Sequence, residues 1–153
     1  MLFRSGGFLL PTHYSGINHE HSIVRSKAGL FDVSHMGEFI ISGTDAETFL
    51  QKVTVNDVQS LEVGQAHYSA MCYEHGGIVD DLLVYKKEDE FMVVVNASNQ
   101  EKDLAWLTSN IQGNVTIKDI SDKMALIAIQ GPRSRDILQM LTEIGRASCR
   151  ERV

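Results

Sequence analysis

The sequence predicts an α+β domain in which helices flank a largely antiparallel sheet. Helical and strand-like segments alternate irregularly, in the order helix, strand, helix, three strands, helix, two strands, helix. A regular strand–helix array would instead indicate a parallel sheet. Two of the strand-like runs are joined by a short Glu-His-Gly-Gly segment, which is typical of a β-hairpin. With 43% hydrophobic and 22% charged residues, the composition is that of a globular protein.

The helices are predicted from apolar spacing and from residues typical of helix ends. Apolar residues recur on one face from Ser15 onward, and Gly29 is a stop signal. Residues 44–47 (Thr-x-x-Glu) and 98–101 (Ser-x-x-Glu) have the pattern of capping boxes, so each predicts a helix start. Pro132 suits the first turn of a last helix.

Strands are predicted where apolar residues alternate or run together between turn residues. Six runs meet this criterion, in chain order: GEFIISG, AHYSAMCY, IVDDLLVYK, EFMVVVN, NVTIKDI and MALIAIQ.

The two ends of the chain read like translated sequencing-adapter DNA. The terminal runs are MLFRS, covering Met1–Ser5, and EIGRASCRERV, covering residues 143–153. We therefore expect both to be adapter-derived and residues 6–142 to be one truncated domain. A native charged tail is the alternative.

Charge and cysteine content exclude several classes of function. The net charge of −6 comes without a basic patch, so nucleic acid is not an expected partner. No apolar run is long enough to span a bilayer. The two cysteines, Cys72 and Cys149, form no disulfide framework or zinc pattern, and the histidine spacing matches no metal signature, so no metal is expected.

Two adjacent acids interrupt the apolar run IVDDLLVYK. Because residues two apart in a strand share a face, Asp80 would point with Leu82, whereas Asp81 would point the other way, with Tyr85. Both faces are apolar, so at least one carboxylate should be partly desolvated. Equally, the acids could simply finish the glycine turn before a later strand start.

Polar residues on the neighbouring runs strengthen a functional interpretation. A hairpin would bring Tyr68, Asp81, Tyr85 and Asn96 onto adjacent strands. A carboxylate, two phenols and an amide in an apolar setting could bind a flat heterocycle with polar edges. Taken singly, a tyrosine at a sheet edge or an asparagine before a helix is more often structural.

Four segments together resemble the glycine cleavage T-protein family, the aminomethyltransferases. They are HYSGINHEHSIVRSKAGLFDVSHMGEF, HYSAMCYEHGGIVDDLLVYK, VVNASNQEKDLAWL and ALIAIQGPRSRDIL. The resemblance implies the folate-binding N-terminal region of that fold, with tetrahydrofolate as co-substrate and the lipoyl group of a lipoylated H-protein partner carrying the aminomethyl group. The reaction that it implies releases ammonia and forms methylene-tetrahydrofolate.

The resemblance also implies roles for particular residues. Asp81 matches the family's catalytic aspartate near the pterin, as charge stabiliser or general base. Tyr68, Tyr85 and Asn96 match folate-pocket positions, and Met36 lines the same pocket. The strand pattern, and not the resemblance, indicates that Asp80 points away from Asp81 and is structural, ending the Gly76-Gly77 turn.

Two alternatives fit a folate-binding domain of this kind. One is a non-catalytic folate-binding relative linked to iron–sulfur assembly; the other is the folate module of a dimethylglycine or sarcosine dehydrogenase. The intact FDVSHMGE and GGIVDDLLVY runs favour the aminomethyltransferase, which would be cytoplasmic in a bacterium, the favoured host, or in the matrix of a mitochondrion. Further folate contacts of the family lie beyond Thr142, so this chain alone is expected to be inactive.

Overall fold

The computed structural model describes residues 2–142, and the adapter-like residues 143–153 lie outside that range. Within it, the chain divides into two compact units. One unit comprises residues 2–35 and 125–142, and the other is Met36–Met124. The mixture of helices and antiparallel sheets confirms the predicted α+β class.

The helices and strands of the described residues are numbered along the chain. The strands are β1 (Leu2–Ser5), β2 (Phe8–Pro11), β3 (Gly29–Asp32), β4 (Gly37–Ser42), β5 (Ala66–Cys72), β6 (Ile78–Lys86), β7 (Glu90–Val95), β8 (Thr116–Asp119) and β9 (Ile127–Gln130). The helices are α1 (Ile17–Ser26), α2 (Ala46–Val53), α3 (Gln100–Ser109) and α4 (Ser134–Gln139). None of these helices is long and apolar enough to cross a membrane.

The first unit contains two antiparallel strand pairs, β1 with β2 and β3 with β9. The adapter-like residues Leu2–Ser5 form β1, and their origin stays a prediction. Helix α1 ends at Ser26, three residues before the predicted stop at Gly29, which instead begins β3. A Cβ at Gly29 would lie 2.5 Å from a side-chain carbon of Val24, so this glycine allows strand and helix to approach closely.

The second unit is built on a five-stranded antiparallel sheet with the strand order β5-β6-β7-β4-β8. One face of this sheet packs with α2 and α3 to form the hydrophobic core. The fully buried side chains of that core include Phe39, Ile41, Leu50, Val84, Val93, Val95 and Leu107.

Both adjacent acids lie inside β6. Asp80 pairs with Met71 and Asp81 with Ala70, so the alternative in which they only finish a turn is wrong, as is the turn-ending role expected of Asp80. The ladder of β5 and β6 shifts register between Met71 and Cys72, which leaves one extra residue on β6 just before Asp80. The two acids therefore follow a β-bulge.

Neither predicted capping box is present. Helix α2 begins after Asp45, whose carboxylate accepts the backbone N–H of Asn114 at 2.6 Å instead of capping its own helix. Helix α3 begins after Asn99, two residues into the predicted box, and the Asn99 amide donates to Asp80. The residues that precede the two helices are thus not the predicted caps Thr44 and Ser98, and neither makes a side-chain cap hydrogen bond.

Candidate functional site

Sheet register places three predicted site residues on the face opposite the core. Residues paired directly across strands lie on the same face. Tyr68 pairs with Leu83, which pairs with Val94, and Tyr85 pairs with Met92. Because Asp81 precedes Leu83 by two residues, it shares this face.

The remaining two residues lie at the same end of the neighbouring strands. Gly37 pairs with Val95, so Met36, just before β4, and Asn96, just after β7, lie side by side. Leu82 also pairs with Val95, which brings Asp81 to the same end. Met36 and Asn96 are both half-buried. Asp81, Asn96 and Met36 are thus gathered at one end of the sheet, whereas Tyr68 and Tyr85 lie further along the strands, and Tyr85, which pairs with Met92, is near the opposite end of β6.

The Asn96 amide links the two adjacent acids. Its nitrogen Nδ2 lies 2.8 Å from Oδ1 of Asp81 and 3.0 Å from Oδ1 of Asp80. An amide nitrogen carries two hydrogens, so it can donate one hydrogen bond to each carboxylate. Asp81 is exposed, whereas Asp80 is only 8% exposed. One amide therefore bridges an accessible acid and a buried one.

Asp80 is a buried acid that its neighbours keep ionised. Burial by itself would raise its pKa, but hydrogen bonds from Asp103, Asn99 and Asn96 outweigh burial and hold the pKa of Asp80 below its usual value. The Asn99 amide donates to its second oxygen, Oδ2, at 2.9 Å. The desolvation expected for one of the two acids falls on Asp80, while Asp81 is solvated.

A third acid, Asp103 on α3, lies behind Asp80 and was missed by the sequence analysis. It is fully buried, and burial together with the adjacent Asp80 raises its pKa to about 7. Lys102 opposes this shift, but its Nζ remains 3.7 Å from Asp103. As a carboxylate Asp103 has no donor for either oxygen, and a proton on it would offer a hydrogen-bond donor to Asp80. The sequence did contain one indication of its burial, because Asp103 lies four residues before Leu107 and therefore on the same buried face of the helix.

The arrangement can bind a cationic or N–H-bearing group beside an aromatic surface. The Asp81 carboxylate has a fixed direction and an open side, and Tyr68 on the same face is 52% exposed. A carboxylate held in place in this way can accept hydrogen bonds from a heterocycle and stabilise positive charge. The described residues contain no group of three potential metal ligands.

Comparison with known proteins yields bacterial aminomethyltransferases among the relatives. The chain is 54% identical over 144 residues to an aminomethyltransferase of Bacillus velezensis, which covers 94% of this chain and 39% of the relative. It is 49% identical over 146 residues to the aminomethyltransferase of Geobacillus kaustophilus, covering 95% of this chain and 40% of the relative. The chain therefore spans about two fifths of the length of these relatives.

A solved structure and a family model agree with these relatives. The crystal structure of glycine cleavage system aminomethyltransferase T from Bartonella henselae superposes with a TM-score of 0.87 at 32% identity, over 95% of this chain and 40% of that one. The family model for the GCVT N-terminal domain matches residues 1–150. With nearly its whole length matched, the chain belongs to the GCVT N-terminal domain family.

Proposed function

We propose that this chain is the folate-binding part of a glycine cleavage aminomethyltransferase, in which Asp81 is the catalytic residue. The observation that carries the proposal is the exposed Asp81 carboxylate, fixed by Asn96 on a sheet face that also bears Tyr68 and Tyr85. Membership of the family and the names of its relatives support the same activity.

The proposed substrates are tetrahydrofolate and an aminomethyl group carried on the lipoyl arm of an H-protein. The transferred carbon exchanges its bonds to ammonia and to sulfur for bonds to folate nitrogens, and positive charge develops on it as ammonia leaves. A carboxylate fixed near that carbon stabilises the charge more in the transition state than in the ground state. The exposure of Asp81 and its hydrogen bond from Asn96 support this role.

Charge stabilisation fits Asp81 better than general base catalysis does. The base role depends on partial burial, which would bring the pKa of the carboxyl group closer to neutral. Asp81 is exposed, however, and the acid whose pKa is raised to about 7 is Asp103, which is fully buried and has no open side toward a substrate.

The folate-binding residues proposed for this chain are Met36, Tyr68, Tyr85 and Asn96, together with Asp81. The two phenol rings and the thioether offer apolar surface for a flat pterin, and polar atoms at its edge can be bound by Asp81. The rest of the folate site and the surface for the H-protein are proposed to lie in the part of the enzyme that the relatives have beyond this segment.

The test is an aminomethyl-transfer assay in a chimera, in which this chain replaces the aligned segment of the Bacillus velezensis relative. For Asp81→Asn we expect kcat to fall about 10²- to 10³-fold with folding intact, because the amide has no negative charge to offer. The control is Asp89→Asn, which changes an exposed acid in the turn between β6 and β7 and should leave kcat unchanged. Normal kcat in Asp81→Asn would refute the role of Asp81; folate binding without transfer in the unmutated chimera would favour the non-catalytic relative.

A further inference from the structure

The orientation of Asp81 depends on an amide that has a second, buried partner. Asn96 follows the last residue of β7, and its Nδ2 is within hydrogen-bond distance of both Asp81 and Asp80. An amide at the end of a strand can rotate about its side-chain bonds unless something fixes it. The contact with Asp80 supplies a second fixed point, on the buried side of the strand.

Asp80 is in turn held from the helix side. Its two oxygens receive different amides, Oδ1 from Asn96 and Oδ2 from Asn99, at 3.0 and 2.9 Å. Asn99 immediately precedes α3, so this contact ties β6 to the start of that helix. Nearby, Lys102 donates to the backbone oxygen of Val79 and adds a further link between α3 and β6.

Asp103 completes the cluster at its deepest point. Its side chain has no exposed surface, and neither oxygen has a hydrogen-bond donor while both acids are ionised. Two carboxyl groups can share a hydrogen bond only if one of them carries a proton. The charged groups that act on Asp103 are Asp80, from β6, and Lys102, on its own helix. Burial and the neighbouring negative charge of Asp80 therefore favour a proton on Asp103, and this proton can be donated to Asp80.

We propose that Asp80 is a positioning residue for Asp81, acting through the shared amide of Asn96, and that Asn99 and Asp103 hold Asp80 in place. The chain of contacts runs from a buried acid pair, through one amide, to the exposed carboxylate on the opposite face. Its functional meaning rests on the proposed role of Asp81. The contacts themselves exist without any substrate, so they can be tested separately.

The first experiment uses the unmutated 153-residue chain, labelled with ¹⁵N and ¹³C and without ligand. We expect scalar couplings across hydrogen bonds from Nδ2 of Asn96 to the carboxyl carbons of both Asp80 and Asp81. Coupling to neither carbon, or to Asp81 alone, would overturn the proposal. This measurement needs no variant and therefore does not depend on whether a variant folds.

The second experiment compares two replacements of Asp103. In Asp103→Ala, Asp80 loses the hydrogen-bond donor that Asp103 provides. The NMR chemical shifts of the Asn96 side-chain amide and of the Asp81 carboxyl carbon should then move toward the values of unconstrained side chains. In Asp103→Asn the amide supplies a new donor, and both signals should stay near their original positions. Asp89→Asn is the matched control in an exposed turn. Unchanged signals in Asp103→Ala, or equal changes in both replacements, would contradict the proposal.

The third experiment measures transfer activity in the chimera carrying Asp80→Ala. A displaced Asp81 should lower kcat by up to about 100-fold with a smaller change in KM for tetrahydrofolate, because misplacement of a catalytic group affects chemistry more than binding. Unchanged kcat would overturn the positioning role. If Asp81→Asn is harmless while the Asn96 couplings are present, the proposed function fails and the contact chain stands.

Discussion

Replacing Asp103 with asparagine should stabilise the protein, and the gain should depend on pH. Asp103 is a fully buried acid whose pKa in the folded protein is about 7, compared with an ordinary value of 3.8. A carboxyl group with a raised folded-state pKa binds its proton more tightly in the folded than in the unfolded chain. Its contribution therefore opposes folding increasingly as the pH rises from about 4 to about 7.

The size of the effect follows from the two pKa values. Each tenfold change in proton affinity corresponds to about 1.4 kcal/mol, so the interval from 3.8 to about 7 corresponds to an upper value of about 4 kcal/mol above pH 7. Asparagine has no proton to lose and still offers a donor to Asp80. We expect the variant to be more stable by about 2–4 kcal/mol at pH 8 and to be nearly equal to the unmutated chain at pH 4.

Urea unfolding followed by fluorescence provides the measurement. The chain has a single tryptophan, Trp106, which is half-buried on α3 three residues after Asp103. A gain of this size corresponds to a rise in the urea midpoint of about 1–2 M at pH 8. Comparing the two proteins at each pH cancels the contributions of the other titrating groups.

The stability advantage of Asp103→Asn over the unmutated chain must differ between pH 4 and pH 8 if the buried charge is its cause. An advantage of equal size at pH 4 and pH 8 would indicate better packing and not the loss of a buried charge. No advantage at pH 8 would show that Asp103 is ionised in the folded chain at little cost, and would refute the reasoning.

Three further predictions concern stability and are measured by urea unfolding. Gly43→Ala should lower the free energy of unfolding by about 3 kcal/mol or more, because at φ +115° its Cβ would lie 2.1 Å from the carbonyl oxygen of Asn114. Gly76→Ala, at φ +84° with open space around it, should lose only about 1 kcal/mol, and equal losses would contradict the steric argument. Leu50→Ala should lower the free energy of unfolding by about 2–5 kcal/mol, because it leaves a cavity in the core. A smaller loss would mean that the neighbouring side chains move in to fill the cavity. Glu38→Gln should gain stability relative to the unmutated chain between pH 5 and pH 8, since burial raises the pKa of Glu38; a difference that does not change with pH would refute this.

The strands of the central sheet were predictable because burial imposes a pattern on their sequence. The run IVDDLLVYK coincides with β6, and β4, β5 and β7 begin or end within about a residue of their predicted runs. By contrast, β1, β2 and β3 were not predicted. Each has only four residues, and apolar side chains such as Leu30 are exposed in them, so burial imposes no alternation of apolar and polar residues on these strands.

In the candidate site, the residues on a single strand were predictable, whereas the contacts between strand and helix were not. The two-residue repeat of a strand was sufficient to separate Asp81 from Asp80 and to group Asp81 with Tyr85. The acid pair of Asp80 and Asp103 joins a strand to a helix 23 residues later, and no local pattern encodes such a contact. The contact of Asn99 with Asp80 is likewise non-local, since it joins the residue before α3 to a strand 19 residues earlier.

The β-bulge before Asp80 has a consequence for how this protein can vary. Val79 and Asp80 are both buried although they are adjacent, whereas Ile78 is 70% exposed, so the alternation of faces restarts at the bulge. The orientation of the two acids is set by the strand after the bulge, where Leu82 lies in the core. An insertion or deletion in the Glu-His-Gly-Gly turn can be absorbed at the bulge, so that Asp80 and Asp81 each keep the same face of the sheet. Homologous hairpins of different length can therefore present the same carboxylate.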